Sequence, residues 1–449
     1  MRANMDLRGH FQQVLESLPI DLADRHCVVA YSGGLDSHVL LHLCLASGLS
    51  VRAVHIHHGL QAEADRWDAH CNEVCAQLGV AYTCIHVDVD TGRGISPEDA
   101  ARKARYLALE EELQRDHILL TAHHQRDQAE TFLLQLMRAA GAAGLAAMPV
   151  VKNLGRSYHV RPLLDISQEQ LRHYAEKHHL VWVDDPSNAD TRYDRNYIRK
   201  EVLPKLKHNW PNADQAISQS ALLQQESLEI IDAMAAVDLA AVAGLQTNSV
   251  LISRLLQLPL ARQYNVLRYW INLAGYDKPK RNILQEIGDS VLPAAEDATP
   301  LVLWGNTEIR RFRDTLYILP ALTSHETQHV YAWDGEQPLL IDALNLELSL
   351  EQTRGKGLQQ TAIVRGMTVR FRQGGEQLRP HGRQHTHSLK KLMQQACIPP
   401  WQRNRIPLIY IEHQLACVCG YWIADSYAVS QDHQGWLPVC RTLGRKPTR

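Results

Sequence analysis

The sequence lacks any run of about 18 or more consecutive apolar residues, the length that a membrane-spanning helix requires. Its first residues also lack the apolar core of a secretory signal. These two absences predict a cytoplasmic protein without a membrane segment. The nine cysteines contain no C-x-x-C pair, and their number is odd, so neither a disulfide framework nor a four-cysteine zinc site is expected.

No single class of residue dominates the composition. Of the 449 residues, 45% are hydrophobic and 21% are charged, and the chain has 25 Gly and 19 Pro. This balance is typical of a globular protein and excludes collagen, coiled-coil and low-complexity classes. No repeat of fixed period is present. At roughly 150 residues per domain, the length predicts about three domains.

The charges are unevenly distributed, although their sum is only −2. Residues 365–449 contain 13 of the 47 Lys and Arg residues but 4 of the 49 Asp and Glu residues, which leaves 34 basic and 45 acidic residues before them. A basic C-terminal module therefore follows an acidic body. This asymmetry favours a polyanionic partner for the module, although a solvated basic face without a partner is the plainer alternative.

Residues 26–150 alternate short apolar runs with helical patterns. The strand-like runs are 26–30, 51–56, 82–89 and 117–122. The helix-like stretches between them are 38–44, 65–78 and 97–113. This alternation predicts βαβ units and a parallel sheet, so the fold class is α/β. Ligands of such sheets bind at the carboxyl ends of the strands.

Three further parts are expected after this region. Residues 151–211, which end in a polar, basic stretch at 187–207, are interpreted as a connector. The helix-compatible segments that follow are 215–242 and 253–291, and the strand-like ones are 301–319 and 339–350. A linker is predicted at 353–357. The strand-like runs after it are 367–371, 408–411 and 415–421, with a helix at 388–397. We therefore expect domains at 1–215, 216–352 and 353–449, the second mostly helical and the third a small α+β module.

A glycine-containing hexapeptide directly follows the first strand-like run. Its residues are Ser32, Gly33, Gly34, Leu35, Asp36 and Ser37. Two glycines let the backbone approach a phosphate, and the N–H groups of the turn and helix start, with the serine hydroxyls, form an anion cradle. Asp36 would repel an anion unless a cation lies between them, so we predict Mg²⁺ there. A plain strand-to-helix turn with Ser37 as its N-cap is the alternative. No G-x-x-x-x-G-K-[ST] motif is present.

Polar residues also follow the second and fourth strand-like runs. His57 and His58 are interpreted as pocket lining, because no H-E-x-x-H motif or cysteine partner accompanies them. The helix after the fourth run carries Asp127 and Glu130, three residues apart. Its predicted buried stripe is Ala129, Phe132, Leu133, Leu136 and Met137. The two carboxylates lie on another face and favour ligand or metal binding in the crevice, although the helix dipole alone also favours carboxylates there.

The hexapeptide resembles the pyrophosphate loop of the N-type ATP pyrophosphatases, which split ATP between its α and β phosphates and adenylate a substrate. Within that superfamily, further segments resemble the tRNA(Ile)-lysidine synthetase family. In the N-terminal part these segments are 57–60, 101–106, 123–131, 144–148, 161–164, 185–188 and 195–199. In the C-terminal part they are 372–376, 389–392 and 398–403. The resemblance covers most of the chain and is weakest from about 215 to 365.

The resemblance implies an N-type ATP pyrophosphatase fold for the N-terminal domain and a ligase reaction. In that family, ATP adenylates carbon 2 of the wobble cytidine of an isoleucine tRNA with a CAU anticodon, and pyrophosphate leaves. The ε-amine of free L-lysine then displaces AMP. The expected ATP-binding residues are 32–37 with His57 and His58, and Asp36 is expected to hold the cofactor Mg²⁺.

The resemblance also suggests which residues carry the chemistry. Lysine's amine, with an ordinary pKa of roughly 10.4, must lose a proton to attack, and Asp127 and Glu130 are candidates for the base or for lysine ligands. Arg102 or Arg105 is expected to pair with the α-phosphate or the lysine carboxylate. The expected catalytic residues are Asp36, Asp127, Glu130 and Arg105, with Arg102 as a lysine ligand. The sequence departs from the family pattern at Arg126, where an Asp is usual, and at 139–141, where a Gly-Ser-Gly-like turn is usual.

A tRNA substrate requires phosphate contacts outside the crevice. The candidates are Arg195, Arg199, Lys205, Arg372, Lys390, Lys391 and Arg403. Two other functions remain open: thiolation of tRNA cytidine, which generally uses paired cysteines, and RNA binding without catalysis. Cys71 and Cys75 are the cysteines to examine for the first, although their spacing fits helix packing. A homodimer is one possible assembly.

Overall fold

The computed structural model describes residues 6–20, 22, 25–59, 63–88, 97–114, 117–184, 190–295 and 298–443, with 97–99 described in their backbone alone. The chain divides into two compact units, Met1–Ala233 and Met234–Arg449. Three predicted features lie outside the described residues: Val89 at the end of a strand, Leu60, and the segment 185–188. Among the described residues, no helix is both long and apolar enough to cross a membrane.

The first unit is built on a six-stranded sheet in the order β3-β2-β1-β4-β6-β5. Its strands are β1 (Cys27–Ala30), β2 (Val51–His57), β3 (Ala81–His86), β4 (Ile118–Leu120), β5 (Val151–Leu154) and β6 (Ser157–Val160). All pairings are parallel except that of β5 with β6. The predicted α/β class and parallel sheet are confirmed.

Helices precede, connect and follow these strands, and those after β1, β2 and β3 contact the sheet. They are α1 (Leu7–Glu16), α2 (Leu35–Ala46), α3 (Ala64–Leu78), α4 (Pro97–Glu112), α5 (Gln125–Met137), α6 (Ala142–Leu145), α7 (Gln168–Lys177), α8 (Asp194–Tyr197), α9 (Leu203–Asn209) and α10 (Ala213–Val242), the last of which contains the unit boundary. Eight of the twelve residues of α2 are buried. A helix with apolar residues on nearly all sides is stable only inside a core, so α2 and the loop before it are rigidly placed.

The strand order creates a crevice at the carboxyl edge of the sheet. β1 pairs with β2 on one side and with β4 on the other. β1 and β4 are adjacent strands, and the chain segments that follow them lead away from each other. Residues 31–34 and 121–124 therefore flank one opening, which is the usual ligand site of such sheets. The fold therefore brings together the motifs that follow these two strands.

The interpretation of residues 151–211 as a connector is wrong. β6 extends the main sheet by pairing with β4, and Leu163, Ile166 and Leu171 are buried in the same core as β1. Further along, Ile198 and Leu203 pack against Ala129 of α5. The segment completes the domain because its apolar residues contribute to the same core.

The buried stripe predicted for α5 is also only partly correct. Ala129 is fully buried, but Leu136 is 45% exposed and Met137 is 74% exposed. The buried residues of α5 are instead Gln128, Ala129 and Glu130. The apolar period of a sequence predicts which side of a helix is buried along its whole length. Here the segments that pack on α5 cover only its first half, so its second half is exposed.

The second unit begins with the expected mostly helical region. Its helices are α11 (Ile252–Leu255), α12 (Leu260–Leu273) and α13 (Arg281–Glu286), which continues into a π-helical turn, Ile287–Val291. They pack on an antiparallel sheet, β7-β10-β9-β8, made of β7 (Ser249–Leu251), β8 (Leu301–Trp304), β9 (Thr307–Phe312) and β10 (Thr315–Pro320).

The C-terminal module is built mainly of antiparallel strands. They are β11 (Tyr331–Trp333), β12 (Leu339–Ile341), β13 (Leu346–Arg354), β14 (Met367–Arg370), β15 (Gln377–Leu378), β16 (His387–Ser388), β17 (Leu408–Ile411), β18 (Gln414–Val418), β19 (Trp422–Ile423) and β20 (Gln434–Thr442). Its short helices are α14 (Gln360–Ile363), α15 (Leu389–Gln395) and α16 (Pro400–Arg403).

The domain boundary predicted at residue 352 falls inside a strand. β13 pairs with β20 along its whole length, from Leu346 opposite Thr442 to Arg354 opposite Gln434. The expected linker is packed as well, because a Cβ atom on Gly357 would lie 2.5 Å from the Trp436 backbone. The module's core therefore begins before the predicted linker, with β11 and β13.

Candidate active site

The hexapeptide forms the loop between β1 and α2. Gly33 has φ +78°, and a Cβ atom there would lie 2.8 Å from Cys71 Sγ and 3.0 Å from Val183 Cγ2. Both the left-handed backbone and the lack of space require glycine at this position. A side chain at residue 33 would displace the loop, so the glycine fixes its path.

Two serine hydroxyls hold the loop closed. Ser37 Oγ accepts a hydrogen bond from the Ser32 N–H (3.2 Å) and donates one to the Gly34 carbonyl (3.0 Å). Ser32 Oγ lies 3.1 Å from Ser37 Oγ. The N-cap of α2 is Gly34, which provides no side-chain cap, so the alternative in which Ser37 is the N-cap is wrong. A helix start without a side-chain cap presents its N–H groups to an anion.

His124 connects this loop to the start of α5. Its Nε2 atom lies 3.6 Å from Asp36 Oδ2 and 3.6 Å from Asp127 Oδ2. Its Nδ1 accepts a hydrogen bond from the Arg126 backbone N–H (3.2 Å), so a neutral ring carries its proton on Nε2, between the carboxylates. Asp127 in turn accepts a hydrogen bond from the His124 N–H (3.0 Å). The Arg126 contact uses only its backbone, so this cap does not depend on the departure from the family pattern.

The two carboxylates have opposite pKa shifts. Burial raises the pKa of Asp36, although the nearby His124 opposes the shift. Burial would also raise the pKa of Asp127, but His124, Arg195 and His123 together hold it below its ordinary value. Asp127 is therefore ionised at neutral pH, and Asp36 is stabilised in its ionised form by any added cation.

Asp36 has the features of a cation ligand. Its Oδ1 atom is buried and has no hydrogen-bond partner among the described residues. A buried carboxylate oxygen without a donor fits a hard divalent cation such as Mg²⁺. The described part of the chain contains no group of three or more His, Cys, Asp or Glu side chains that could hold a metal. Mg²⁺ would thus need further ligands from a bound phosphate.

The expectation that Glu130 faces the crevice is wrong. Its side chain is completely buried, and its carboxylate accepts hydrogen bonds from Arg195 Nε (2.9 Å), Arg199 Nε (2.6 Å) and Arg199 Nη2 (2.9 Å). The two arginines also lie 3.6 Å from Asp127 Oδ1. Arg195 and Arg199, which we expected to make phosphate contacts with tRNA outside the crevice, instead direct their guanidinium groups to the carboxylates of α5.

His58 and Arg105 form a second polar pair. Arg105 Nε donates a hydrogen bond to His58 Nε2 (3.3 Å), and burial with the neighbouring Arg105 charge lowers the pKa of His58 to about 4. His58 is therefore neutral and accepts from the arginine. His57 Nε2 lies 3.0 Å from Asp65 Oδ1, and the Arg102 guanidinium lies 5.1 Å from the Tyr106 ring centroid.

A buried chain of polar groups, most of which sequence reasoning missed, leads to the site. Arg161 Nη2 donates to His159 Nδ1 (3.0 Å), His159 Nε2 lies 2.8 Å from Thr121 Oγ1, and Thr121 Oγ1 lies 2.8 Å from His123 Nδ1. Burial lowers the pKa of His123 to about 3 and that of His159 to about 2. Both rings are neutral, and the chain fixes the orientation of His123 beside Asp127. The only signal in the sequence is polar residues at the ends of otherwise apolar strands.

The cysteines near the loop are structural. Cys71 and Cys75 are fully buried. Burial raises the pKa of Cys71 to about 12 and that of Cys75 to about 11. Thiols that stay protonated and inaccessible neither bind metal nor act as nucleophiles. They do not form the paired cysteine site that a thiolase would need.

The remaining tRNA candidates have different surroundings. Lys205 is exposed and lies 3.8 Å from Glu201. In the second unit, Lys390 and Lys391 are exposed in the first turn of α15. Arg372 and Arg403 each contact neighbouring polar atoms of the C-terminal module.

Comparison with known proteins places the chain in a family. Residues 5–206 match a family model described as a PP-loop domain, residues 251–317 match a TilS substrate binding domain, and residues 367–441 match a TilS substrate C-terminal domain. The chain is 42% identical to the tRNA(Ile)-lysidine synthase of Coxiella burnetii, with 95% of each chain covered. It is 41% identical to that of Methylococcus capsulatus, with 89% of this chain and 92% of the relative covered.

Among solved structures, the chain is similar to the U34-tRNA thiolase NcsA from Methanococcus maripaludis with its [4Fe-4S] cluster. The TM-score is 0.40 and the identity 17%, over 49% of this chain and 78% of that one. This likeness is too low to bear on activity.

Proposed function

This chain belongs to the tRNA(Ile)-lysidine synthase family, and we propose that the crevice around residues 32–37 carries out its reaction on free L-lysine and the wobble cytidine of a CAU anticodon. The protein is an ATP-dependent ligase that forms lysidine on tRNA(Ile). The observation that carries the assignment of the site is the position of His124, 3.6 Å from both Asp36 and Asp127. His124 thereby connects the loop 32–37 to the start of α5, which carries Asp127.

The loop binds the phosphates of ATP. The N–H groups at the start of α2, together with Ser32 and Ser37, surround the position where an anion is favoured. Asp36, with its unpartnered buried Oδ1, would hold Mg²⁺ there. The metal supplies positive charge that offsets the charge of the leaving pyrophosphate. Arg105 and His58 remain the proposed neighbours of ATP, with His57 beside them.

Asp127 is the proposed ligand of lysine's ammonium group. Its pKa is held low, so it stays ionised and is a poor proton acceptor at neutral pH. A carboxylate of this kind binds a cation better than it removes a proton. Glu130 is unsuited to either role because both its oxygens are occupied by Arg195 and Arg199. Arg102 is the proposed partner of the lysine carboxylate.

The function is tested by incubating the protein with ATP, Mg²⁺, labelled lysine and total tRNA. We expect label in the tRNA and release of AMP and pyrophosphate. Asp36→Asn serves as the inactive control, since it keeps the side chain's size and removes the charge. Failure of the folded wild-type protein to label tRNA, or equal labelling by Asp36→Asn, would overturn the proposal. Exchange between ATP and pyrophosphate that depends on tRNA excludes RNA binding without catalysis.

A further inference from the structure

The buried hydrogen bonds that lead to His123 run in one direction. We call Arg161, His159, Thr121 and His123 the polar chain. Arg161 has donors and no acceptor, so its Nη2 donates to His159 Nδ1 (3.0 Å). Burial lowers the pKa of His159 to about 2, so the ring is neutral and its single proton is on Nε2. His159 Nε2 therefore donates to Thr121 Oγ1, which lies 2.8 Å away.

The direction continues into the next ring. Because Thr121 Oγ1 accepts a hydrogen bond from His159, its own proton is free to be donated. In the described part of the chain, the only other group at hydrogen-bond distance from this hydroxyl is His123 Nδ1 (2.8 Å). Thr121 therefore donates to this nitrogen. Burial lowers the pKa of His123 to about 3, so this ring is also neutral and carries its proton on Nε2.

Burial keeps the polar chain in this arrangement. Arg161, His159 and Thr121 are 6%, 2% and 6% exposed. Arg161 is also held from its other side, because its Nη1 donates to the Pro149 carbonyl (2.9 Å). Water has little access to these three side chains, so it does not replace their partners and reverse the hydrogen bonds. The tautomer of His123 is therefore determined by an arginine that lies three hydrogen bonds away.

The second ring nitrogen of His123 is open at the crevice. Its Nε2 has no hydrogen-bond partner among the described residues, and it is not one of their buried unpaired atoms. His123 follows β4 at the edge where the loop 32–37 follows the neighbouring β1. The adjacent His124 already directs its Nε2 towards Asp36 and Asp127. The Nε2–H of His123 is thus a donor at this opening that no described protein group uses.

We propose that the polar chain holds His123 as an Nε2–H donor to a phosphate oxygen of ATP during adenylation of the tRNA base. The inference rests on the proposed function, which supplies the nucleotide. A neutral donor that is oriented in advance stabilises negative charge as it develops on an oxygen, and it does not repel Mg²⁺. His123 is then a catalytic residue, whereas the other three members of the polar chain are positioning residues.

The position of the proton can be read by NMR in protein labelled with ¹⁵N at its histidines. At neutral pH we expect His123 to have a protonated Nε2 and an unprotonated Nδ1, with its signals identified by their loss in His123→Gln. Thr121→Ser keeps the hydroxyl and should keep this pattern, whereas Thr121→Val removes it and should mix the two tautomers. The matched control is Ser157→Ala, which removes a buried hydroxyl that donates to the Gln114 carbonyl (3.0 Å). It should leave the His123 signals unchanged.

The rate of adenylation provides the second measurement. Exchange between ATP and pyrophosphate in the presence of tRNA reports this step without the attack of lysine. His123→Ala should slow the exchange by roughly 10²–10³-fold, the usual effect of losing one such donor. Thr121→Val should slow it by at least about tenfold, with little change in the KM for ATP, because the ring is then fixed neither in tautomer nor in orientation. Thr121→Ser and Ser157→Ala should stay close to the wild type.

The two measurements together separate positioning from structure. A wild-type His123 that is charged at neutral pH, or that carries its proton on Nδ1, overturns the proposal even if no variant folds. Mixed tautomers in Thr121→Val with exchange as fast as in Ser157→Ala also overturn it. Equal slowing in Thr121→Val and Ser157→Ala, without a change in the His123 signals, makes Thr121 a structural residue and overturns it as well. Because the spectrum is recorded without turnover, failure of the folded wild type to label tRNA would reject the proposed function separately.

Discussion

Replacing Glu130 by Gln should destabilise the N-terminal unit rather than remove a contact to lysine. The Glu130 carboxylate is 0% exposed and accepts hydrogen bonds of 2.6 to 2.9 Å from Arg195 and Arg199. Glutamine keeps the size of the side chain but replaces one oxygen by an NH₂ group, which would face guanidinium donors. It also removes the negative charge that compensates the two arginines.

The magnitude follows from this complete burial. Removing one partner of a buried ion pair costs about 3–5 kcal/mol. In a unit of 150–250 residues, 1 kcal/mol shifts Tm by about 2–4 °C, so Glu130→Gln should lower Tm by roughly 6–20 °C. The control is Glu201→Gln. Its pair with Lys205 spans 3.8 Å between side chains that are 46% and 77% exposed. Exposed pairs contribute about 0–1 kcal/mol, so the control should shift Tm by a few degrees at most.

Differential scanning calorimetry of both variants gives the comparison, and the KM for lysine is measured at a temperature where both are folded. The structure predicts a large Tm difference between the variants. An unchanged Tm in Glu130→Gln, accompanied by a raised KM for lysine, would refute this reasoning and restore Glu130 as a lysine ligand. A change in both would show that the arginines also position Asp127 for lysine.

Three other predictions follow from the same site. Asp36→Asn should abolish lysine incorporation yet raise Tm at neutral pH. The pKa of Asp36 is raised in the folded protein, so ionisation of this carboxyl destabilises the fold as pH rises above about 3.9, and asparagine removes that cost. A lower Tm of the variant would contradict this. Gly33→Ala should lose ATP binding, whereas Gly141→Ala, with no atom within 4 Å of its added Cβ, should not; equal affinities in a nucleotide titration would refute it. The pKa values of His123 and His159 are lowered in the folded protein, so unfolding takes up protons, and the free energy of unfolding should fall as pH drops from 6.5 towards 3. Urea titrations at several pH values give the dependence of this free energy on pH. His159→Gln should reduce that dependence by the equivalent of about one proton.

Local patterns were sufficient to predict the first four strands of the N-terminal sheet and the loop that follows β1, but not β5 and β6. Strand and helix periodicity depends on neighbouring residues, so the alternation placed β1, α2 and β2 within a few residues of their observed bounds. The loop position follows, because the complete hexapeptide 32–37 lies directly after the first strand-like run and before a helical pattern. The same local information located Asp36 and Asp127 at one edge of the sheet.

Long-range pairing was not predictable in the same way. Asp127 and Glu130 look equivalent in the sequence, yet Glu130 bonds to Arg195 and Arg199, which lie 65 and 69 residues further along. No local pattern indicates which carboxylate two distant arginines will contact. Because burial without a partner is costly for a charged group, the arginines determine that Glu130 is structural and Asp127 borders the crevice.

Long-range strand pairing, which local sequence patterns do not predict, also determines how the C-terminal module has to be tested. Alternating apolar residues predicted a strand near residue 350, but not its partner, and β13 pairs with β20 about ninety residues away in sequence. A chain cut at Gln352 would leave β13 without that neighbour and remove most of the core that buries Leu348. Loss of tRNA binding by such a truncation would therefore report unfolding as readily as lost phosphate contacts. Single substitutions of the candidate tRNA contacts, such as Lys390→Gln and Arg403→Gln, change one charge while the β13–β20 pairing stays intact, so they can assign the binding to particular side chains.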